Sequence, residues 1–276
     1  MTWRNKSKPI VIIITLLLLF VMLFPFFVMI STMIKPGTEI YVTPPRWFPE
    51  NPTLRNLFAV WKEYNLLTYF ESSLIIALGT MALNTLISVP AAYAVSRLRF
   101  AGRKFMLYLF LVIQMFSPVI VVISLFKIFA QLRLIDTYTG LILANTVFTI
   151  SFTIWMLNGY FSSIPKEIEE AARIDGCSRT MTISRIMLPI AAPGLVTAMI
   201  YTFIWAWNEF LFALSFIKAQ TKIPLTLGMY QFVGRWSTQW EMLTTAAFLA
   251  LIPVLILFFS IERRLVTGLA GGAVKG

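Results

Sequence analysis

The chain has no histidine and a single cysteine, Cys177. Those two absences exclude a Ser-His-Asp triad, a Cys-His dyad, a Cys/His metal cluster and any disulfide within the chain. Charge is scarce too: charged residues make up 13% of the sequence, against roughly a quarter in a soluble domain. GxxxxGK[ST] occurs nowhere, so the chain cannot cradle nucleotide phosphates in the P-loop manner, and the terminal AGGAVKG has its glycines and lysine at the wrong spacing. No internal repeat is visible, which removes the main sequence pointer to a secondary transporter. No catalytic residue, metal site or cofactor of its own is expected.

What remains is apolar. Hydrophobic residues reach 58%, and a membrane helix takes about twenty of them in a row. Six stretches meet that length: 10–30, 72–96, 105–126, 137–164, 190–217 and 242–261. The expected fold class is an all-α integral membrane protein with six transmembrane helices in a single domain, 1–276. Arg4, Lys6 and Lys8 precede the first run as in a signal peptide, but the run is too long and Phe24-Pro25-Phe26-Phe27 too bulky for cleavage, so it is read as a retained helix.

The excess positive charge sorts by loop. With a cytoplasmic N-terminus, 14 of the 23 basic residues, among them the four in SRLRFAGRK, fall on cytoplasmic segments, as the positive-inside bias requires. Both termini then face the cytoplasm, in the inner membrane. No basic run with interleaved aromatics suggests nucleic acid. The outer segment 32–71, rich in proline and glycine, is expected to hold one short amphipathic helix near Leu57 to Tyr64; in the other, 218–241, Trp236 and Trp240 are expected at the lipid interface.

One inner segment is unlike its surroundings. Between Lys166 and Arg185 stand eight charged residues, too many and too close for a span. Ser163 is expected to cap a first helix with Pro165 in its first turn, Glu167, Glu169 and Glu170 to face the positive end of its dipole, and Gly176 to stop it in the left-handed conformation. Ser178 is expected to cap a second helix, ended by Pro189. Ile168, Ala171 and Ala172 share a face.

The spacing Glu170-Ala171-Ala172, Gly176, Ile186, Leu188-Pro189 resembles the EAA loop of permease subunits in ATP-binding-cassette importers. STMIKPGTEI, WNEFLFAL and ERRLVTGLAGGAVKG resemble the carbohydrate branch, and the last is similar to the tail of the second permease subunit of maltose-type transporters. The resemblance implies the importer-permease fold with a cytoplasmic two-helix coupling segment at 163–189, and a tail at 262–276. It implies ATPase-coupling roles for Glu169, Glu170, Ala171, Ala172, Asp175, Gly176, Ile186, Leu188 and Pro189, and a contact of Gly271, Gly272 and Lys275 with the ATPase. Implied partners are a second permease subunit, two ATPase subunits that bind ATP and magnesium, and an extracytoplasmic sugar-binding protein. Its N-terminal helix would wrap a partner subunit.

Glu209 is the one ionisable residue well inside a span, fewer than a proton-coupled carrier needs. Tyr201, Trp205, Asn208 and Phe212 fall on one helical stripe. An amide among aromatic faces suits a sugar, so Tyr201, Trp205, Asn208 and Glu209, with Gln114 and Asn145, are candidate pathway residues; the same polar groups also suit helix-to-helix adhesion. The cargo stays open between a sugar or oligosaccharide and a polyol, glycerol-phosphate or other small solute.

Overall fold

The computed structural model describes the backbone of residues 3–273 and the side chains of residues 11–260. Apart from an isolated antiparallel bridge between Val233 and Thr238, all regular structure among the described residues is helical. Where the sequence reading treats the chain as one domain, its contacts group into two compact units.

The first unit comprises Met1–Leu67 and Met229–Ile252. It holds α1 (Trp3–Met33), α2 (Gly37–Ile40), α3 (Arg55–Lys62) and the first part of α14 (Trp240–Ala273). The α1 span is apolar and exposed from Val11 to Phe27, whereas Ser31 and Met33 at its end are buried. Beyond it, polar side chains tie the loop: the Glu39 carboxylate accepts from the backbone N–H of Glu50 at 3.0 Å and of Asn51 at 3.1 Å, and the Asn56 amide donates to the carbonyls of Met33 and Lys35 at 2.7 and 2.8 Å. Helix α3 is the amphipathic helix expected in this segment, displaced by two residues.

The second unit comprises Thr68–Gly228 and Pro253–Gly276. Its elements are most of α4 (Leu66–Arg97), then α5 (Arg103–Gln114), α6 (Pro118–Gln131), α7 (Tyr138–Ser163), α8 (Lys166–Ile174), α9 (Arg179–Met181), a π turn (Thr182–Met187), α10 (Leu188–Ile190), α11 (Ala192–Trp207), α12 (Leu211–Phe216), the larger part of α13 (Leu225–Tyr230) and the second part of α14. Among the described residues four helices are each long and apolar enough to span; two bent pairs bring the number to six if each pair is one span.

Those bent pairs correct the sequence reading. Residues 105–126 are not one helix: α5 and α6 meet at 100°. Pro118 disfavours helical backbone at the residue before it, and Ser117 is accordingly extended, with φ −69° and ψ 133°. Residues 190–217 break twice. The path bends by 86° at Ala191, and α11 stops at Trp207 with α12 starting at Leu211. The span expected at 242–261 belongs to a helix that runs through Pro253 to Ala273, so most of the expected tail is helical.

Asp136, with φ 59°, fastens the loop before α7. Its carboxylate accepts from the N–H groups of Lys218 and Ala219, both at 3.0 Å, and these bonds, Ala219 first, hold its pKa below the usual carboxylate value.

The core of this unit lies between α4, α7 and α11. At one end Val89, Ala92 and Tyr93 of α4 meet Ile154, Leu157 and Phe161 of α7, with Met187 and Ala198. Deeper in, polar groups replace the apolar ones. Asn84 is fully buried, and its Nδ2 lies 2.8 Å from Thr149 Oγ1, 3.1 Å from Thr153 Oγ1 and 2.9 Å from Thr202 Oγ1. Ser88 Oγ donates to Asn84 Oδ1. One side chain therefore links three helices. Helices α7 and α11 also approach closely at Gly194, where a Cβ would lie 2.3 Å from the Tyr160 ring.

Candidate functional site

Two sites emerge within the second unit, one at the α8 end and one at the break in α11.

At the α8 end, helix α7 runs to Ser163, whose Oγ donates to the Tyr160 carbonyl at 2.8 Å. Ser163 is thus not the cap expected of it. Ile164, ahead of Pro165, is extended, and Pro165 takes the N-cap position of α8. The stop is as expected: Gly176 has φ 86°, Cys177 N–H donates to Ala172 O at 3.0 Å and Gly176 N–H to Arg173 O at 3.2 Å. That pair of bonds is a Schellman motif, which satisfies helix-end carbonyls and needs a left-handed residue between them. Ser178 caps the next helix, accepting from Met181 N–H at 3.3 Å. Pro189 does not end it. The π turn widens the helix just before the proline, and the chain stays helical to Ile190.

The burial pattern divides the expected coupling residues. Glu170, Ala171, Asp175, Gly176 and Pro189 are exposed, Ile186 and Leu188 half-buried, and Ala172 buried. The apolar face expected of Ile168, Ala171 and Ala172 is therefore split, with Ala172 inward and Ile168 and Ala171 outward. Ile174 is 86% exposed, a large apolar side chain at the tip of a charged helix. Glu169 turns inward: its carboxylate accepts from Tyr93 OH, and Arg97 Nε lies 3.3 Å from its Oε2. Gly271 and Gly272 continue the backbone of α14, whereas Lys275 lies outside the described residues.

At the break in α11, a cavity of about 580 Å³ is lined by Tyr201, Trp205, Asn208 and Glu209, facing Pro118 and Val119 of α6. The Tyr201 ring packs against Phe152 at a tilt of 40° with ring centroids 4.2 Å apart, and Gln114 Nε2 donates to its hydroxyl at 3.3 Å. Five of the six residues expected in the pathway are therefore close together. Asn145 is not: it is fully buried and its amide donates to Leu141 O at 3.0 Å. Glu209 has a structural task as well. Its carboxylate accepts from the N–H groups of Phe212 at 2.5 Å and Ala213 at 3.1 Å, capping α12 where the span is broken. Because of that break, Phe212 sits on a separate helix from the other three residues of the stripe.

Sequence reasoning missed Tyr93, Arg97 and the Asn84 group. Arg97 entered only as one of the cations that set orientation. The repeat Asn145, Thr149, Thr153 at every fourth position was a readable polar stripe on α7, and Asn84 is the partner it implied.

Residues 84–270 match the family described as the binding-protein-dependent transport system inner membrane component. The chain is 37% identical over 271 residues to the sulfoquinovosyl glycerol transport system permease protein SmoH of Agrobacterium fabrum, covering 98% of this chain and 95% of that one. It is 33% identical over 264 residues to the diacetylchitobiose uptake system permease protein DasC of Streptomyces coelicolor, covering 95% and 96%. Its structure superposes with a TM-score of 0.81, at 21% identity and over 94% and 97% of the two chains, on a chain of a bacterial ABC transporter involved in the import of the acidic polysaccharide alginate. At that identity the likeness concerns the fold.

Proposed function

Because the chain belongs to the family of binding-protein-dependent transport system inner membrane components, we propose that it is the carbohydrate-importing permease subunit of an ATP-binding-cassette transporter, forming half of the transmembrane pathway. The sugars named for its relatives, sulfoquinovosyl glycerol and diacetylchitobiose, support a glycosidic cargo. A second permease subunit completes the pathway, two separate ATPase subunits bind ATP and magnesium, and an extracytoplasmic binding protein delivers the sugar.

The observation that carries the coupling role is the exposed tip of α8. Glu170, Ala171, Ile174 and Asp175 face outward next to a fixed left-handed turn. An exposed isoleucine among acids suits a partner cleft better than water. In this reading α8 is cytoplasmic, both termini lie on the same side, and closure of the ATPases moves α8 and the helices behind it as a body. Sugar passes along the cavity wall of Tyr201, Trp205 and Asn208, with Gln114 nearby, the aromatic faces stacking on sugar C–H groups.

Cys177, the sole thiol and half-buried beside the turn, reports on this directly. In inverted vesicles a membrane-impermeant maleimide is expected to label it, and bound ATPase is expected to protect it. Labelling from the outer face, or equal labelling with and without ATPase, refutes the reading. Gly176→Val is expected to remove that protection, since a β-branched residue at φ 86° is strained by about 1–3 kcal/mol. Loss of labelled di- and oligosaccharide uptake in cells lacking the chain tests the cargo.

A further inference from the structure

We infer that Arg97, Tyr93 and Glu169 form a latch that fixes α8 to the end of α4, so that a displacement of α8 is delivered to α4 as well as to α7. The latch rests on the coupling role proposed above and assigns Glu169 a place inside it, as a positioning residue that no partner touches.

Two consecutive acids on α8 behave oppositely. Glu170 is exposed, while the Glu169 side chain retains 13% exposure. Both Glu169 oxygens are committed within the chain: Oε1 accepts from Tyr93 OH, and Oε2 pairs with Arg97 Nε at 3.3 Å. Arg97 is the last residue of α4, its side chain 5% exposed, and its second arm donates from Nη2 to the carbonyl of Ile164 at 2.6 Å. Ile164 and Pro165 are the whole link between α7 and α8. One guanidinium thus grips the corner and the helix beyond it.

Apolar burial does not hold α8 by itself. Ala172 is the only buried residue among its nine, and one methyl group buries too little surface to set the angle of a helix. Without the ion pair, α8 would keep its two-residue link to α7 and its packing on the Thr182–Met187 turn but lose its polar tie to α4, so that a push on α8 would reach α4 less directly. With the pair intact, the guanidinium donates from Nη2 to the Ile164 carbonyl while its Nε, which makes no hydrogen bond, lies in ion-pair range of the Glu169 carboxylate, two placements that the single ammonium of lysine cannot reproduce in a fixed geometry. From Arg97 the path continues through α4 to Asn84, and from there to Thr202, the neighbour of the cavity residue Tyr201.

The test uses the assembled complex with its ATPase and a thiol at Ile204, which also lines the cavity of Tyr201 and Trp205: Ile204→Cys in a Cys177→Ser background, read by maleimide reactivity with and without magnesium-ATP and vanadate. This readout needs no sugar. In the otherwise unaltered chain the nucleotide is expected to change the reactivity at 204. Arg97→Lys and Glu169→Gln are each expected to reduce that change by about tenfold, the scale of one coupling free energy of this kind, and the double variant no further, because both remove the same link. Tyr93→Phe, which keeps the ring packed on Phe161, is expected to reduce it by about threefold. It serves as the milder variant should the charged ones fail to assemble.

In the native Cys177 chain carrying Glu169→Gln, protection of Cys177 by the ATPase should be unchanged. Loss of that protection would make Glu169 a docking residue and overturn the latch. Undiminished nucleotide response in all three single variants, or additive losses in the double one, would also overturn it. Absence of protection in the unaltered chain would instead refute the coupling role and take the latch with it.

Discussion

Replacing Gly194 by leucine is expected to abolish accumulation of folded protein in the membrane. A Cβ at this position would lie 2.3 Å from both Cγ and Cδ2 of Tyr160. The atoms struck include the base of the ring, so flipping the ring in place does not clear them: the whole Tyr160 side chain must leave its position or the helices must separate. Overpacking of a well-filled interior typically costs about 1–3 kcal/mol. Even Gly194→Ala is expected at the top of that range, and leucine beyond it, because α7 and α11 are also tied through Asn84. Gly159 of α7 supplies the control: a Cβ there meets nothing within 4 Å, so Gly159→Ala should accumulate as the unaltered chain does. Size-exclusion chromatography of detergent-solubilised fluorescent fusions reads all three. A monodisperse Gly194→Leu peak of normal height would mean that α7 and α11 are not held at this distance.

The second large effect is expected at Asn84, where the sign depends on protons. Each threonine hydroxyl near the amide donates into its own helix, Thr149 to Asn145 O, Thr153 to Thr149 O and Thr202 to Ala198 O. The oxygens facing Asn84 therefore present lone pairs only. Asn84→Asp places a carboxylate against three acceptors in a dry interior, with the Ser88 hydroxyl as its one donor. Loss of the pairing together with a buried uncompensated acid is expected to cost about 3–5 kcal/mol, and Asn84→Leu about 1–3 kcal/mol.

The amide has two protons for three oxygens, so any one threonine is dispensable. Thr149→Val or Thr202→Val alone should cost about 0.6 kcal/mol or less, near the mean for such bonds in membranes, while the pair together should cost more than the sum. Thermal denaturation of the solubilised protein reads the order. A Tm for Asn84→Asp no lower than that for Asn84→Leu would contradict the proton count.

How much of this was legible in the sequence depended on which physical rule governed each element. The long apolar runs located α1, α4, α7 and α14 because lipid selects on length and hydrophobicity, and those signals are local. The two broken spans were misread as continuous for the same reason: hydropathy is blind to backbone direction. Ser117-Pro118 did carry the break, as a residue forced out of the helical region by the proline that follows it. The break at Asn208 carried no such mark, since Glu209 caps the helix that follows using main-chain donors that any sequence offers. At the α8 end, Gly176 was readable because its conformation is nearly reserved for glycine, and Ser178 because caps are local. The inward turn of Glu169 was not legible. Its orientation is decided by Arg97, 72 positions earlier, and no periodicity within a nine-residue helix distinguishes an acid that meets solvent from its neighbour that meets an arginine. Asn145 was assigned to the cavity on polarity alone, when polarity equally marks a residue bonded to its own helix.

The exposure of α1 sets a limit on what assays of this chain by itself can report. From Val11 to Leu23 every side chain is exposed, so an isoleucine exchanged there for a leucine or a phenylalanine displaces no buried neighbour. A mutational screen on singly expressed protein will score such exchanges as silent. Under the proposed pairing with a second permease subunit, any selectivity along this helix becomes measurable once that subunit covers it.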